Sequence, residues 1–232
     1  MVKKKIIAII QARVGSTRLP KKVLKKINNK FIFELIFKRL KKSKMINQII
    51  FATSTKKEND ELCIELVKRK ISFFRGKEND VLDRYYKAAK KFHGSIIVRI
   101  TCDCPFVDSN LVDLFIKKLI KGNYDYVSNC MPYTYPNGMD VEVFTFELLE
   151  RAFFKATLKQ RENGGVVLRY IKENKEIFKI KNIVSKVSSI KKYRLTLDNK
   201  NDLTNTRKIY KYFYPQIYFG YNKIVKLLKK NV

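Results

Sequence analysis

The sequence predicts an α/β fold in which a doubly wound, mainly parallel sheet carries helices on both faces. Three observations predict this class. Short apolar runs typical of buried strands alternate four times with amphipathic helical segments. At 232 residues and 45% hydrophobic content, the chain is large and apolar enough for one full core. Polar residues follow the ends of the predicted strands, where ligands bind in such sheets.

The alternation of strands and helices runs from the start of the chain to about residue 122. Apolar runs predict strands at residues 6–10, 48–53, 71–74 and 95–100. Apolar residues at helical spacing predict helices at residues 31–40, 58–70 and 79–92, with another beginning near residue 108. Because parallel strands are joined by right-handed helical crossovers, this order predicts a parallel sheet.

Beyond residue 122 the pattern becomes irregular. Shorter runs predict strands at residues 124–128, 139–144, 178–183 and 194–197. Helical spacing predicts helices at residues 146–159, 161–174, 201–212 and 221–230. We interpret residues 1–232 as a single domain, with residues 129–190 as an elaboration inserted into it.

The segment after the first strand predicts a phosphate-binding loop. It combines a strand end, small residues and cations: Gln11, Ala12, Arg13, Gly15, Ser16, Arg18 and Lys22. Glycine lets the backbone approach a ligand closely, and hydroxyl and amide groups donate hydrogen bonds. A strand that feeds such a loop is a common cradle for polyphosphate. An ordinary strand-to-helix turn on a basic protein is the alternative.

The string QARVGSTRLPKKVL at residues 11–24 resembles the signature Q-A-R-x-G-S-T-R-L-P-G-K-V-L of the SpsF-like cytidylyltransferases. These belong to the acylneuraminate and Kdo cytidylyltransferase family, which makes CMP-activated acidic sugars. Lys21 stands where that signature has glycine. The resemblance implies a nucleotide-diphospho-sugar transferase (GT-A-like) fold, and residues 129–190 that contact the acceptor and form a homodimer.

Two aspartates are candidate ligands for a Mg²⁺ cofactor, which in proteins usually binds one or two carboxylates plus phosphate oxygens. Asp103 follows the fourth strand in the string TCDCP and resembles the metal ligand of the family's G-D-C-P motif. Asp198, in LDNKNDL, resembles the second ligand, in V-D-T-P-E-D-L; a helix N-cap is the alternative. Asp103, Arg13 and Lys22 are the predicted catalytic residues.

The remaining predicted site residues would contact the base and the acceptor. Thr53, Arg75 and Gly76 end strands at the same sheet edge as the loop and are predicted to line the base pocket. Residue type and the resemblance predict four residues on the acceptor side: Tyr135, Asp140, Glu142 and Arg161. The two carboxylates are also candidate ligands of a second metal ion, and a solvated strand face is the alternative for them. For the tyrosine, the alternatives are a mobile aromatic loop and an oligomer contact. Near Arg161, Asn163 stands where the family has histidine.

Composition limits the classes of function. Lysine and arginine number 51 against 21 aspartate and glutamate, a net charge of +30. Because these cations are scattered and form no basic tail, we expect no nucleic-acid partner. The four cysteines have neither CxxC nor zinc spacing, which indicates a reduced, cytoplasmic setting. No apolar run is long enough to span a bilayer, so we expect a soluble protein with no membrane partner.

The predicted activity is transfer of CMP from CTP to an anionic acceptor, with release of pyrophosphate. The resemblance implies a nonulosonic acid or a Kdo-like sugar, for surface polysaccharide or glycan biosynthesis; a non-sugar or phosphorylated acceptor stays open. A glycosyltransferase on the same fold is one alternative, although Asp103-Cys104-Pro105 lacks the D-x-D that it would need. A basic nucleic-acid-binding module is another; it would bind oligonucleotides in a salt-dependent way without turning over CTP.

Overall fold

The computed structural model describes residues 4–161, 168–185 and 190–230. Its strands are β1 Ile6–Gln11, β2 Lys26–Ile27, β3 Lys30–Phe31, β4 Gln48–Ser54, β5 Phe73–Gly76, β6 Ile96–Thr101, β7 Tyr126–Ser128, β8 Glu142–Thr145 and β9 Ile180–Asn182. Its α-helices are α1 Ile32–Leu40, α2 Asp60–Lys68, α3 Val81–Lys91, α4 Ser109–Gly122, α5 Phe146–Lys155, α6 Leu158–Arg161, α7 Leu168–Glu173, α8 Lys200–Tyr212 and α9 Tyr221–Lys230.

The main sheet is mainly parallel, which confirms the predicted fold class. Its strand order is β5-β4-β1-β6-β8-β7-β9, and β2 and β3 form a separate hairpin. β1 pairs in parallel with β4 on one side and with β6 on the other, so that Ile9 lies between Ile50 and Arg99. β8 runs antiparallel to β6 and β7. The chain reverses its direction of winding between β1 and β6, and such switch points form ligand crevices in α/β sheets.

β1 is apolar from Ile6 to Ile10 because the sheet is covered on both faces. Ile6, Ala8 and Ile10 pack into one core cluster, with α1, α2 and α4. Ile7 and Ile9 pack into the other cluster, with α3 and α5. Burial of each isoleucine side chain contributes about 1.5–3 kcal/mol relative to exposure. The buried strand thus holds the loop that follows it at a fixed position on the sheet edge.

Two predictions for the second half of the chain are wrong in detail. The predicted strand at residues 194–197 is reduced to an isolated bridge between Arg194 and Asn137. Its backbone amides instead bond to loops, with Leu197 N donating to Asp103 O at 2.8 Å. The helix predicted at 146–159 ends at Lys155.

Of the helix predicted at residues 161–174, the structure describes Arg161, in α6, and the segment from Leu168, where α7 runs to Glu173. Asn163, where the sequence departs from the family pattern, lies outside the described residues. Within the described ranges, no helix combines the length and apolar character needed to cross a membrane.

Candidate active site

A cavity of about 300 Å³ opens beyond the carboxyl ends of β1 and β6, at the switch point of the sheet. It brings together most of the predicted phosphate and metal residues: Gln11, Arg13, Gly15, Ser16, Arg18, Lys22, Asp103 and Asp198. A cavity of about 250 Å³ beside the start of β4 contains no carboxylate among its lining residues. The chemistry-bearing side chains therefore converge on the switch-point cavity.

Lys22 lies between the two predicted metal ligands. Its Nζ donates to Asp103 Oδ2 at 2.8 Å, to Asp198 Oδ1 at 3.1 Å and to the Leu197 carbonyl at 3.1 Å. Burial by itself would lower the pKa of Lys22 and raise the pKa of Asp103. The paired charges outweigh burial, so that the pKa of Lys22 is raised and that of Asp103 is lowered. Both side chains are therefore charged at neutral pH.

Asp198 is fixed from two sides. Its Oδ1 also contacts Arg18 at 3.2 Å, and its Oδ2 accepts from Arg194 at 2.6 Å. It does not cap α8, because Asn199 is the N-cap and forms a capping box with Asp202. In the same way, Asp108 rather than Asp103 caps α4. Both predicted metal ligands are thus free of a capping role.

The cavity also contains a cation without a partner. In the ranges that the structure describes, Arg13 has no hydrogen bond and no carboxylate within ion-pairing distance, and it is exposed. Ser16 and Gly15 are half-buried beside it. An unpaired guanidinium next to hydroxyl and amide donors is suited to bind an anion with several oxygens, such as a polyphosphate.

Lys21 adopts a backbone conformation that explains why the family signature has glycine there. Its φ is 54° and its ψ is 32°, in the left-handed region, immediately before the 3-10 helix Lys22–Leu24. That conformation costs a residue with a Cβ about 1–2 kcal/mol, whereas glycine adopts it readily. The strained turn directs Lys22 back into the cavity.

The predicted base residues lie beside the cavity and do not line it. Thr53 is fully buried, and its Oγ1 has no hydrogen-bond partner among the described residues. Arg75, next to Gly76, donates to the carbonyls of Ser54 and Lys56 and pairs with Asp60. Ala12 is buried as well. Their contact with a base stays a prediction.

On the acceptor side, Glu142 is buried and internally paired. Its side chain is 2% exposed and forms an ion pair with Arg99, while Tyr126 donates to its Oε2 at 2.7 Å. Arg99 also reaches Gln11 Oε1 at 3.4 Å, which links this pair to the cavity. Arg99 was absent from the predicted site, although a single arginine within an apolar strand was a signal for it.

The other predicted acceptor residues are spread over the adjacent surface. Asp140 is half-buried, its Oδ1 has no partner among the described residues, and burial together with the charge of Glu142 raises its pKa to about 6. Tyr135 is 7% exposed and packs against Tyr221. Arg161 pairs with Asp80 at 2.9 Å. The structure does not bring these residues to one point, and their binding roles stay predictions.

The carboxylates of the cavity fit a magnesium ion that is shared with a substrate. Asp103 and Asp198 already contact one cation together, the ammonium of Lys22. In the described ranges, no three Cys, His, Asp or Glu side chains form a preformed metal centre. Two carboxylates completed by phosphate oxygens are a usual donor set for Mg²⁺.

Comparison with known proteins gives consistent matches along the whole chain. The matching family is described as cytidylyltransferase, and the match spans residues 7–231. The chain is 42% identical over 233 residues to Uncharacterized protein MJ1063 of Methanocaldococcus jannaschii, covering 98% of this chain and 91% of that protein. It is 31% identical over 233 residues to spore coat polysaccharide biosynthesis protein SpsF of Bacillus subtilis, covering 97% and 95%.

A solved structure supports the same grouping. A cytidylyltransferase from Leptospira borgpetersenii serovar Hardjo-bovis superposes with a TM-score of 0.91 and 34% sequence identity. The superposition covers 99% of this chain and 95% of that one.

Proposed function

Because the chain belongs to the cytidylyltransferase family, we propose that it transfers CMP from CTP to an acidic sugar and releases pyrophosphate. Membership of the family confirms the resemblance drawn from residues 11–24 and makes the chain a nucleotidyltransferase. The use of CTP and the nature of the acceptor belong to the proposal. The name of SpsF, a spore coat polysaccharide biosynthesis protein, supports a role in the synthesis of a surface glycan.

The observation that carries the proposal is the charge pattern of the switch-point cavity. One cation, Arg13, has no partner among the described residues, while Lys22 holds Asp103 and Asp198 together at 2.8 and 3.1 Å. A triphosphate brings oxygens for the free cation and for Lys22. It also completes the coordination of a metal ion on the two carboxylates.

Each residue then has a defined role in the reaction. Arg13, Arg18 and Ser16 bind the β- and γ-phosphates, and Lys22 lies beside the α-phosphate. An acceptor oxygen attacks the α-phosphorus in line, one P–O bond forms, and the P–O bond to pyrophosphate breaks. The acceptor proton leaves to solvent, and the cations stabilise the charge on the departing pyrophosphate. Positioning and charge neutralisation account for the rate in this mechanism.

Asp103 and Asp198 would hold the Mg²⁺. When bound, the ion neutralises phosphate charge and lowers the pKa of the attacking hydroxyl. Lys22 must then share its carboxylate partners, and it keeps the two side chains converged before the substrate enters.

The acceptor, the oligomer and the location complete the proposal. Tyr135, Asp140, Glu142 and Arg161 stay candidates for the acceptor side, and the net charge of +30 suits an anionic acceptor. Residues 129–190 remain the predicted homodimer region, and α5 and α6 within it expose large apolar side chains, such as Leu158 at 82%. The cytoplasmic location is supported by four free cysteines.

Pyrophosphate release tests the activity directly. Each of the four nucleoside triphosphates is incubated with Mg²⁺, the enzyme and a panel of acidic sugars, including Kdo and nonulosonic acids. We expect release that requires both CTP and one of these sugars. Turnover with another triphosphate, or with neutral acceptors alone, would contradict the proposal.

A further inference from the structure

We propose that Asn59 is a positioning residue that holds the phosphate-binding loop in the shape that accepts a triphosphate. The inference rests on the proposed function for its effect on CTP. The hydrogen bond from Val14 N to Asn59 Oδ1, called the tether below, is a property of the loop alone. Asn59 makes no contact with the cavity, and neither the motif resemblance nor residue type singled it out.

Asn59 connects the loop to the end of a neighbouring strand. Its side chain is fully buried, and its Oδ1 accepts from the backbone amide of Val14 at 2.9 Å. Its Nδ2 donates to Ser54 Oγ at 2.8 Å. Val14 lies between Arg13 and Gly15, so the hydrogen bond holds the loop directly beside the two residues that would meet the phosphates.

Further contacts fix Asn59 itself. Ser54 Oγ donates to Glu78 Oε2 at 2.8 Å, and Glu78 pairs with Lys56 at 3.4 Å. Arg75 binds the carbonyls of Ser54 and Lys56 from the other side. The anchor of the loop is therefore built from the strand ends of β4 and β5, which are the predicted base-binding segments.

The residue before Asn59 also contacts the loop. The carboxylate of Glu58 packs against Gly15, where a Cβ would collide with it. The 3-10 helix Lys57–Asn59 thus touches the loop twice, once through a hydrogen bond to Val14 and once through packing on Gly15. Because the two contacts are separate, loss of the hydrogen bond to Val14 leaves the packing of Glu58 on Gly15 in place.

Asn47, immediately before β4, provides a control for the loss of an asparagine–amide hydrogen bond. Asn47 Oδ1 accepts from Ile6 N at 2.7 Å, at the start of β1, and lies away from the cavity. Asn59→Ala and Asn47→Ala each remove an asparagine oxygen that accepts a hydrogen bond from a backbone amide. Asn47 is exposed, and Asn59→Ala also removes the Nδ2 donor to Ser54 Oγ. Asn47→Ala therefore controls for the loss of an asparagine–amide bond in β1 outside the loop.

Two measurements test the inference. Amide hydrogen exchange in the nucleotide-free protein measures how readily the backbone of the loop opens. Steady-state kinetics with CTP gives KM and kcat separately. We expect Asn59→Ala to speed exchange at residues 13–17 and to raise the KM for CTP about tenfold, a typical effect of one lost hydrogen bond. kcat should change less. Asn47→Ala should leave both the exchange of these residues and the KM unchanged.

Ser54→Ala provides a second variant that does not depend on Asn59→Ala folding well. It removes the hydroxyl that holds Nδ2, and we expect a smaller change in the same direction. Combined with Asn59→Ala, the effects should be less than additive, because both changes break one chain of bonds.

The outcomes separate the two proposals. Faster loop exchange in Asn59→Ala in a protein that never turns over CTP would support the tether and overturn the proposed function. Normal CTP turnover with loop exchange and KM equal to those of Asn47→Ala would overturn the tether alone.

Discussion

The phosphate side and the acceptor side of the proposed site use their charges differently. On the phosphate side, Arg13 has no ion-pair partner among the described residues and Arg18 is largely exposed. On the acceptor side, Arg99 is paired with Glu142 and Arg161 with Asp80. In the first region, Arg13 can bind an added anion at once, whereas Arg18 and Lys22 already contact carboxylates of the cavity. In the second, an anion must compete with carboxylates of the same chain.

This difference places substrate specificity on the acceptor side. An unpaired cation at a small-residue loop suits any triphosphate, whereas paired and buried charges fix the shape of a pocket. We therefore expect substitutions on the phosphate side to change activity, and those on the acceptor side to change stability as well. The following predictions test that contrast, beginning with the largest effect.

Asp103→Asn should lower turnover about a thousandfold, an effect expected when a preorganised charge is removed from a transition state. The change keeps the shape of the side chain but removes its charge. The measurement is pyrophosphate release at saturating CTP and acceptor. Asp113→Asn is the control, because Asp113 is also a partly buried aspartate but binds Ser43 and Lys44 N, away from the cavity. Equal activities of the two variants would contradict the role given to Asp103.

Glu142→Gln should destabilise the fold by about 3 kcal/mol, because it leaves the Arg99 guanidinium buried without a counter-charge. Arg13→Ala is the matched change on the phosphate side. We expect it to raise the KM for CTP while leaving the free energy of unfolding unchanged within about 0.5 kcal/mol. Urea unfolding measures the free energy of unfolding of each variant, and steady-state kinetics measures the KM. A stability loss in Arg13→Ala as large as that in Glu142→Gln would remove the contrast between the two sides.

Asp140 should make stability depend on pH. Its pKa in the fold is about 6, raised from 3.8 by burial and by Glu142. The folded state therefore binds more protons than the unfolded state between these values, so that stability falls as pH rises from about 4 to about 6. Asp140→Asn should remove this slope and gain on the order of 1–3 kcal/mol above pH 6. Thermal unfolding at several pH values checks it, and a slope unchanged by the substitution would assign the effect to another group.

Lys21→Gly should stabilise the fold by about 1 kcal/mol or less, the smallest effect expected here. Glycine adopts the left-handed conformation at φ 54° without steric cost, although it adds freedom to the unfolded chain. The measurement is the free energy of unfolding in urea. Asn123→Gly, at φ 47° after α4, is a control at a similar backbone conformation outside the cavity.

The fold was largely predictable from sequence, and the acceptor side was not. Buried strands are continuous apolar runs, as at residues 6–10 of β1, and alternation with helices predicts a parallel sheet whose strand ends converge. The positions of Arg13 and Asp103 in one cavity follow from that topology. The internal pair of Arg99 and Glu142 depends on the register of antiparallel β8 against β6, which local patterns do not specify.

The segment around Arg194 shows the same limit. Its residues predict a short strand. The backbone amides of Leu195 and Leu197 instead donate to the carbonyls of Asn137 and Asp103, which lie in loops. Sequence spacing cannot anticipate such loop-to-loop pairing. The asparagine tether of Val14 likewise joins residues 45 positions apart, and no local motif marks it.

Calorimetric titration of CTP measures binding on the phosphate side without any knowledge of the acceptor. It tests the claim that Arg13 and Lys22 bind the triphosphate while Asp103 and Asp198 share its magnesium. We predict that the wild-type protein binds CTP more tightly with Mg²⁺ than without it, and that Asp103→Asn loses this difference. Equal dependence on Mg²⁺ in the two proteins, or no binding of CTP to the wild type, would contradict the account.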